Sequence, residues 1–147
     1  ILAAVGTVAY QGYTSGAKKN ATKSNHASVT KYIAAELAKC NMGESEVMIG
    51  ETTAATTTTT ASKSKYTCDG TGLSVSAAAA GALGDFKNTY APATKAVVSA
   101  ALNTLVLGQT TVSNTTTVVT IQTCFAMAGT ACANDDTETM TNTVTIE

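Results

Sequence analysis

The chain opens with residues 1–17, ILAAVGTVAYQGYTSGA, an uncharged run that leads directly into Lys18 and Lys19. Alanine and leucine are strong helix formers, so the run predicts the beginning of a helix. Its apolar half, residues 1–10, is ten residues long. A membrane-spanning helix needs about 20 apolar residues, so this segment is too short to span a bilayer by itself.

The same helix is predicted to continue to residue 40. An apolar stripe at helical spacing is formed by Val29, Ile33, Leu37 and Cys40. A helix over residues 1–40 would be roughly 60 Å long, whereas a globular domain of this size measures nearer about 30 Å. We therefore expect residues 1–28 to protrude and residues 29–147 to form a globular head. A protruding apolar half needs a partner, either a bilayer or copies of itself.

Residues 1–17 resemble the second half of the N-terminal helix of type IV pilins, in which a run of the ILAAVAIPAYQDYTARA kind is the most recognisable sequence. The resemblance is close over these seventeen residues and looser in the layout of the rest. Family members usually have proline where this chain has Val8, so we expect any bend or local melting of the helix at Gly6. Because the family's helix begins further upstream, we also expect apolar residues to precede Ile1 in the full protein.

The resemblance implies an α+β fold, with a long N-terminal helix packed on a small antiparallel sheet. It also implies a structural subunit that leaves the bacterial inner membrane and is polymerised by pilus assembly machinery into an extracellular filament. Such filaments serve surface attachment, motility or DNA uptake. A pseudopilin or minor pilin, or a free secreted binding module, remains an alternative. The residues expected in the filament core are Ile1, Leu2, Val5, Val8, Tyr10 and Tyr13.

Between residues 41 and 72 we expect an irregular connection. It contains the run TTAATTTTTAS at residues 52–62. Threonine is poor in helices and seldom fully buried, so this run predicts a surface loop or an edge strand. Threonine-rich tracts are typical targets of O-glycosylation, and the five candidates here are Thr56, Thr57, Thr58, Thr59 and Thr60. An unmodified loop is the alternative.

The second half of the chain predicts a short helix followed by strands. Residues 73–87 are alanine-rich and favour a helix. Residues 105–112 and 115–123 are rich in threonine, valine, leucine and isoleucine, and are separated by a two-residue turn at 113–114. Threonine alternates with apolar residues over 137–147, which predicts a strand with one buried face.

Four cysteines permit three pairings. We favour Cys40–Cys68, which would join the end of the long helix to the threonine-rich connection, and Cys124–Cys132, which would close a C-terminal loop of the kind that many pilins have. A zinc site built from all four is the alternative, but zinc ligands usually come in closely spaced pairs, and no two cysteines here lie closer than eight positions.

Composition argues against several other functions. The net charge is −1 and all nine basic residues are lysine, which gives no case for a specific nucleic-acid site. Charge is segregated, with +4 over residues 1–40 and −5 over 41–147, and we hypothesise that basic helices face acidic heads of neighbouring subunits. We predict no catalytic residues, cofactor or metal.

Two polar features could in principle serve catalysis or metal binding. His26, the single histidine, lies in a polar part of the helix, where we expect it to be solvated. The oxygen-bearing side chains near Cys132 could bind calcium, although a plain acidic turn is the simpler interpretation. They are Asn134, Asp135, Asp136 and Glu138.

Overall fold

The computed structural model describes the backbone of residues 2–53 and 62–147, and the side chains of residues 12–50 and 63–147. Helix α1 spans Leu2–Asn41 and so includes Gly6, where a bend or local melting stays a prediction. One glycine costs only roughly 1 kcal/mol relative to alanine, which is too little to end a long helix. Ile1 and Thr56–Thr60 lie outside the described residues.

The predicted apolar stripe of α1 is confirmed, because Val29, Ile33 and Leu37 are buried in the core. Cys40 packs against the same core from a partly buried position. Helix α1 ends where Gly43, with a φ of 97°, accommodates a left-handed backbone.

The expectation of an irregular connection over residues 41–72 was wrong over two stretches inside that range. Strand β1 (Glu46–Thr53) and strand β2 (Ser62–Thr67) form an antiparallel pair. The pair is stabilised by contacts with other elements. Val47 and Met48 are buried in the core, and the Met48 N–H donates to Glu36 Oε2 on α1 at 2.8 Å. Such tertiary contacts are not visible in local sequence.

Helix α2 spans Val75–Ala82, inside the predicted range of 73–87. The Ser74 hydroxyl accepts a hydrogen bond from the Ala77 N–H at 3.3 Å, which caps the first turn. Three small or apolar side chains of this helix, Val75, Ala78 and Ala79, are buried in the core.

The main sheet has four strands in the order β3-β4-β5-β6. They are β3 (Val97–Ser99), β4 (Thr110–Asn114), β5 (Val118–Cys124) and β6 (Thr139–Thr145). The pair β3–β4 is parallel and the other two pairs are antiparallel. The α+β class is thus confirmed, whereas the expected purely antiparallel sheet is corrected to a mixed one. The short strand β3 had not been predicted.

The turn between β4 and β5 lies at residues 115–117 instead of 113–114. The Thr115 N–H donates to the Val118 carbonyl at 2.9 Å, and the Thr115 hydroxyl accepts from the Val118 N–H at 3.1 Å. This side-chain bond extends both strands beyond the predicted turn. At the other end, Gly108 has a φ of 81°, which is consistent with β4 beginning only at Thr110.

Both favoured disulfides are present, Cys40–Cys68 and Cys124–Cys132. The core lies between α1, α2 and the two sheets, with Ile33, Met48, Val75 and Ile121 among its fully buried side chains. None of the described helices combines enough length with enough apolar character to pass through a bilayer.

Candidate functional site

The N-terminal part of α1 is the first feature that could serve assembly. From Gly12 to Ala21 every described side chain is exposed or half-buried, and 77% of the Tyr13 surface is accessible. Tyr13 is the one predicted filament-core residue whose side chain the structure describes, because those of Leu2, Val5, Val8 and Tyr10 lie outside the described set. Its exposure leaves it available to a partner.

The head contacts α1 earlier than residue 29, where the head had been expected to begin. Thr22 and His26 are each only 1% exposed. They continue the buried stripe of Val29, Ile33 and Leu37 on the same helix face, at helical spacing. We call the contact made by residues 18–26 of α1 with the head the helix–head junction.

His26 occupies the centre of the helix–head junction. Its Nδ1 lies 2.8 Å from the Thr123 hydroxyl on β5, and its Nε2 lies 2.7 Å from Asn142 Oδ1 on β6. The Thr123 hydroxyl in turn lies 2.6 Å from that of Thr110 on β4. One imidazole thus links the helix to three strands, and the expectation of a solvated His26 was wrong. Burial of a polar ring is favourable here because both of its nitrogens have partners.

A second polar contact lies one helical turn further towards the N-terminus. The Thr22 hydroxyl lies 2.5 Å from that of Thr89 and also donates to the Lys18 carbonyl. The loop carrying Thr89 is held by the buried Asn88, whose amide donates to the Leu107 carbonyl at 2.9 Å and whose Oδ1 accepts from the Tyr90 N–H at 2.8 Å. These bonds within the head fix the position of the loop independently of its contact with α1.

Three lysines complete the helix–head junction through aromatic rings. Lys19 and Lys23 lie 5.1 and 4.1 Å from the centroid of the Phe125 ring, and Lys18 lies 5.7 Å from that of Tyr90. Each cation–π contact at such a site contributes about 0.5–1 kcal/mol. The Tyr90 hydroxyl also donates to the Phe125 carbonyl at 3.0 Å, so the two rings are connected.

The disulfide loop of residues 124–132, which contains Phe125, is held in place by Glu138. The Glu138 carboxylate is 7% exposed and accepts from the Ala128 N–H at 2.7 Å and the Ala133 N–H at 2.5 Å. Its oxygens are thus used by the loop itself. Within the described part of the chain, no three metal-ligating side chains of the His, Cys, Asp or Glu type come together.

The neighbouring acidic residue Asp135 forms a turn. Its carboxylate accepts from the Thr137 hydroxyl at 2.6 Å and the Thr137 N–H at 2.9 Å, and these bonds hold the pKa of Asp135 below its ordinary value. Asn134 accepts from the Gln122 amide at 2.6 Å. The acidic cluster is therefore organised by intramolecular hydrogen bonds.

At the far end of α1, Glu36 joins the helix to β1. Its carboxylate accepts from the Met48 N–H and pairs with Lys39. Partial burial works in the opposite direction, but the bonds from Lys39 and Met48 together hold the pKa of Glu36 below its ordinary value. Cys40–Cys68 lies one turn further along the helix.

The pair formed by Thr123 and His26 has the distances of a nucleophile and its base. However, Thr123 is 0% exposed and His26 is 1% exposed, so a substrate has no access to either atom. The geometry supports a structural role for this pair.

Comparisons with known proteins gave no match, either to family models or to curated proteins or solved structures.

The residues of the helix–head junction were not predicted from the sequence because they are polar. Thr22 and His26 do share the spacing of the apolar stripe, and that periodicity is the signal that could have revealed them.

Proposed function

We propose that the chain is a structural subunit that polymerises into an extracellular filament of the type IV pilus kind. The observation that carries the proposal is the exposed stretch of α1 from Gly12 to Ala21. Among the side chains that the structure describes, Thr22 is the first buried one, and the helix begins at Leu2, so residues 2–21 form its N-terminal half. At 1.5 Å per residue this half is about 30 Å long, and it contains the run that resembles pilin helices.

The physical driving force for such assembly is burial of apolar surface. Each square ångström of apolar surface removed from water contributes about 25 cal/mol. A helix that extends from one copy and packs against the helices of others forms a head-to-tail contact, and repetition of that contact generates an open helical polymer.

The helix–head junction supports regular packing. His26, Thr22 and the lysines over Phe125 hold the helix to the head at several points. Every copy therefore presents its protruding half in the same direction. A filament needs this uniformity because each subunit repeats the same contact.

The proposed route and location follow from the same reasoning. The partners are copies of the chain, the inner membrane before assembly, and the pilus assembly machinery. Two disulfides favour an oxidising compartment outside the cytoplasm. In the filament, the threonine-rich tract, the turn at 115–117 and the 124–132 loop would lie on the outer surface.

Electron microscopy with helical reconstruction of sheared surface material from cells making the protein tests the proposal. The expected result is thin filaments whose centre is a bundle of helices. Short stubs would favour a pseudopilin or minor pilin, and monomers alone would favour a secreted module. Either outcome would overturn the proposal.

A pair of variants makes the test specific to the helix. We expect Tyr13→Ser to reduce the yield of filaments, because Tyr13 lies on the protruding half and is 77% exposed. Ile49→Ser is the matched control, since Ile49 is a 54% exposed apolar residue of the head. Circular dichroism of the monomers checks that both variants remain folded. Equal filament yields for the two variants would count against a core formed by α1.

A further inference from the structure

When the imidazole of His26 is neutral, its two partners favour one tautomer. Asn142 Oδ1 can only accept, so Nε2 carries the proton and donates to it at 2.7 Å. Nδ1 then accepts from the Thr123 hydroxyl at 2.8 Å, and Thr123 accepts in turn from Thr110. The helix is thus bonded to β4, β5 and β6 through one tautomer of one ring.

Among the residues that the structure describes, the two hydrogen-bond partners of His26 are uncharged and supply no counter-charge for a second proton. The strands β4, β5 and β6 contain no titratable side chain between their ends apart from the disulfide-bonded Cys124. From α1 itself the nearby charges are the cations Lys19 and Lys23, which lie over Phe125. From the adjoining loops come Tyr90, which donates to the Phe125 carbonyl, and Glu138, whose carboxylate is used by Ala128 and Ala133.

We propose that His26 is an acid-sensitive latch that holds the helix–head junction closed and releases residues 18–26 of α1 from the head on protonation. A proton on Nδ1 turns that atom from an acceptor into a donor. The hydroxyls of Thr123 and Thr110 can rotate to accept it, so the hydrogen bonds alone do not prevent protonation. What opposes it is the cost of a positive charge on a ring that is only 1% exposed.

The direction of the pH effect follows from linkage. Burial lowers the pKa of His26 below its ordinary value, while the bond to Asn142 acts in the opposite direction and is the smaller effect. When the helix–head junction opens, the ring regains a pKa of about 6.5. The open form therefore binds the proton more tightly. Stability of the junction is complete above pH of about 6.5 and decreases as the pH falls towards the lower pKa of the closed form.

The first test is an NMR titration of the full chain, in detergent micelles if its apolar end requires them. His26 is the single histidine, so its ring signals are unambiguous. We expect a midpoint below about 6.5 in the folded protein. We also expect the opening equilibrium of amides from Thr22 to Ser28 to rise by up to about tenfold per pH unit below that value, the limit for one proton. This opening equilibrium is measured by amide hydrogen exchange, with the rates corrected for the intrinsic exchange rate at each pH.

Two variants separate the latch from general acid unfolding. Asn142→Asp supplies a counter-charge at the same position, so the His26 midpoint should rise and the junction should stay closed at pH 5. His26→Gln keeps a donor and an acceptor without titrating, so its amide protection should not change between pH 7 and pH 5. If His26→Gln does not fold, the comparison of Asn142→Asp with the unmodified chain still shows whether protonation of His26 opens the junction.

Three results would overturn the latch. They are a His26 midpoint at or above the ordinary value, unchanged protection of the helix amides in acid, and the same acid loss in His26→Gln as in the unmodified chain. These measurements use monomers and stand whether or not filaments form. Where filaments do form, acid should loosen those of the unmodified chain more than those of Asn142→Asp, which adds regulation to the proposed function.

Discussion

Gly50 lies where strand β1 passes closest to helix α2. A Cβ atom at this position would overlap with the backbone of Gly81 and Ala82. Backbone atoms cannot move aside as the end of a flexible side chain can, so β1 approaches α2 this closely only because residue 50 has no side chain. Met48, two residues earlier, has a φ of 55° within an irregularity of the β1–β2 register, which places its side chain in the core.

Gly50→Ala is predicted to destabilise the head by about 1–3 kcal/mol, because overpacking forces the strand and helix apart. The matched control is Gly12→Ala, which meets nothing within 4 Å and lies within α1. That substitution should be neutral or stabilising by up to about 1 kcal/mol. Urea unfolding followed by circular dichroism measures both. Equal effects would mean that β1 and α2 are less closely packed than described.

A second single residue, Glu138, holds the disulfide loop in place. Its carboxylate accepts two backbone N–H groups while nearly buried. Glu138→Ala is predicted to cost about 1–3 kcal/mol, because the two donors lose a charged partner. Asp136→Ala, at a neighbouring exposed position, is the control and should change stability by less than about 0.5 kcal/mol. A small loss for Glu138→Ala would show that water replaces the carboxylate.

At the scale of elements, α1 has three successive parts. The side chains of residues 12–17 are exposed or half-buried, residues 18–26 form the helix–head junction, and residues 29–40 contribute apolar side chains to the core. The transition occurs on one continuous helix face, because Thr22, His26 and Val29 lie one above another. A rigid helix therefore connects the proposed filament contact directly to the core of the head.

Ile33→Ala is predicted to destabilise the protein by about 2–5 kcal/mol, since Ile33 is fully buried and truncation leaves a cavity. Ala35→Ser, two residues along on the exposed face, should cost no more than about 0.5 kcal/mol. Chemical denaturation of both variants checks the difference. Similar values would indicate that α1 is not packed on the sheets over this part of its length.

At the scale of the whole molecule, the two disulfides close loops of different length. Cys40–Cys68 joins the last turn of α1 to the end of β2, and Cys124–Cys132 closes the loop that contains Phe125. The sequence separations are 28 and 8 residues. In the chain-entropy model, the longer loop stabilises the folded state more.

Replacing both cysteines of a pair by alanine tests this order. The loss should be about 3–4 kcal/mol for Cys40–Cys68 and about 2–3 kcal/mol for Cys124–Cys132. Unfolding midpoints of the two double variants measure it. The reverse order would mean that packing of the buried Cys124 outweighs loop length.

Several elements could be predicted because their signals are local. The stripe of Val29, Ile33 and Leu37, the helix after Ser74 and the alternation in β6 are each visible within a few residues. The strand β1 and the true turn at 115–117 could not be located, because they depend on partners elsewhere: Glu36 for β1, and the side-chain bond of Thr115 for the turn.

The sequence by itself determined the α+β class and the long helix, since helical and strand periodicities follow from backbone geometry alone. It favoured one set of cysteine pairs among three, and the structure contains that set. Only the tertiary structure decided that His26 is buried, that α1 meets the head from Thr22 onward, and that β3 lies parallel to β4. The reason is that burying a polar side chain is favourable only where distant residues satisfy its hydrogen bonds. For His26 those residues are Thr123 and Asn142, about a hundred positions away along the chain.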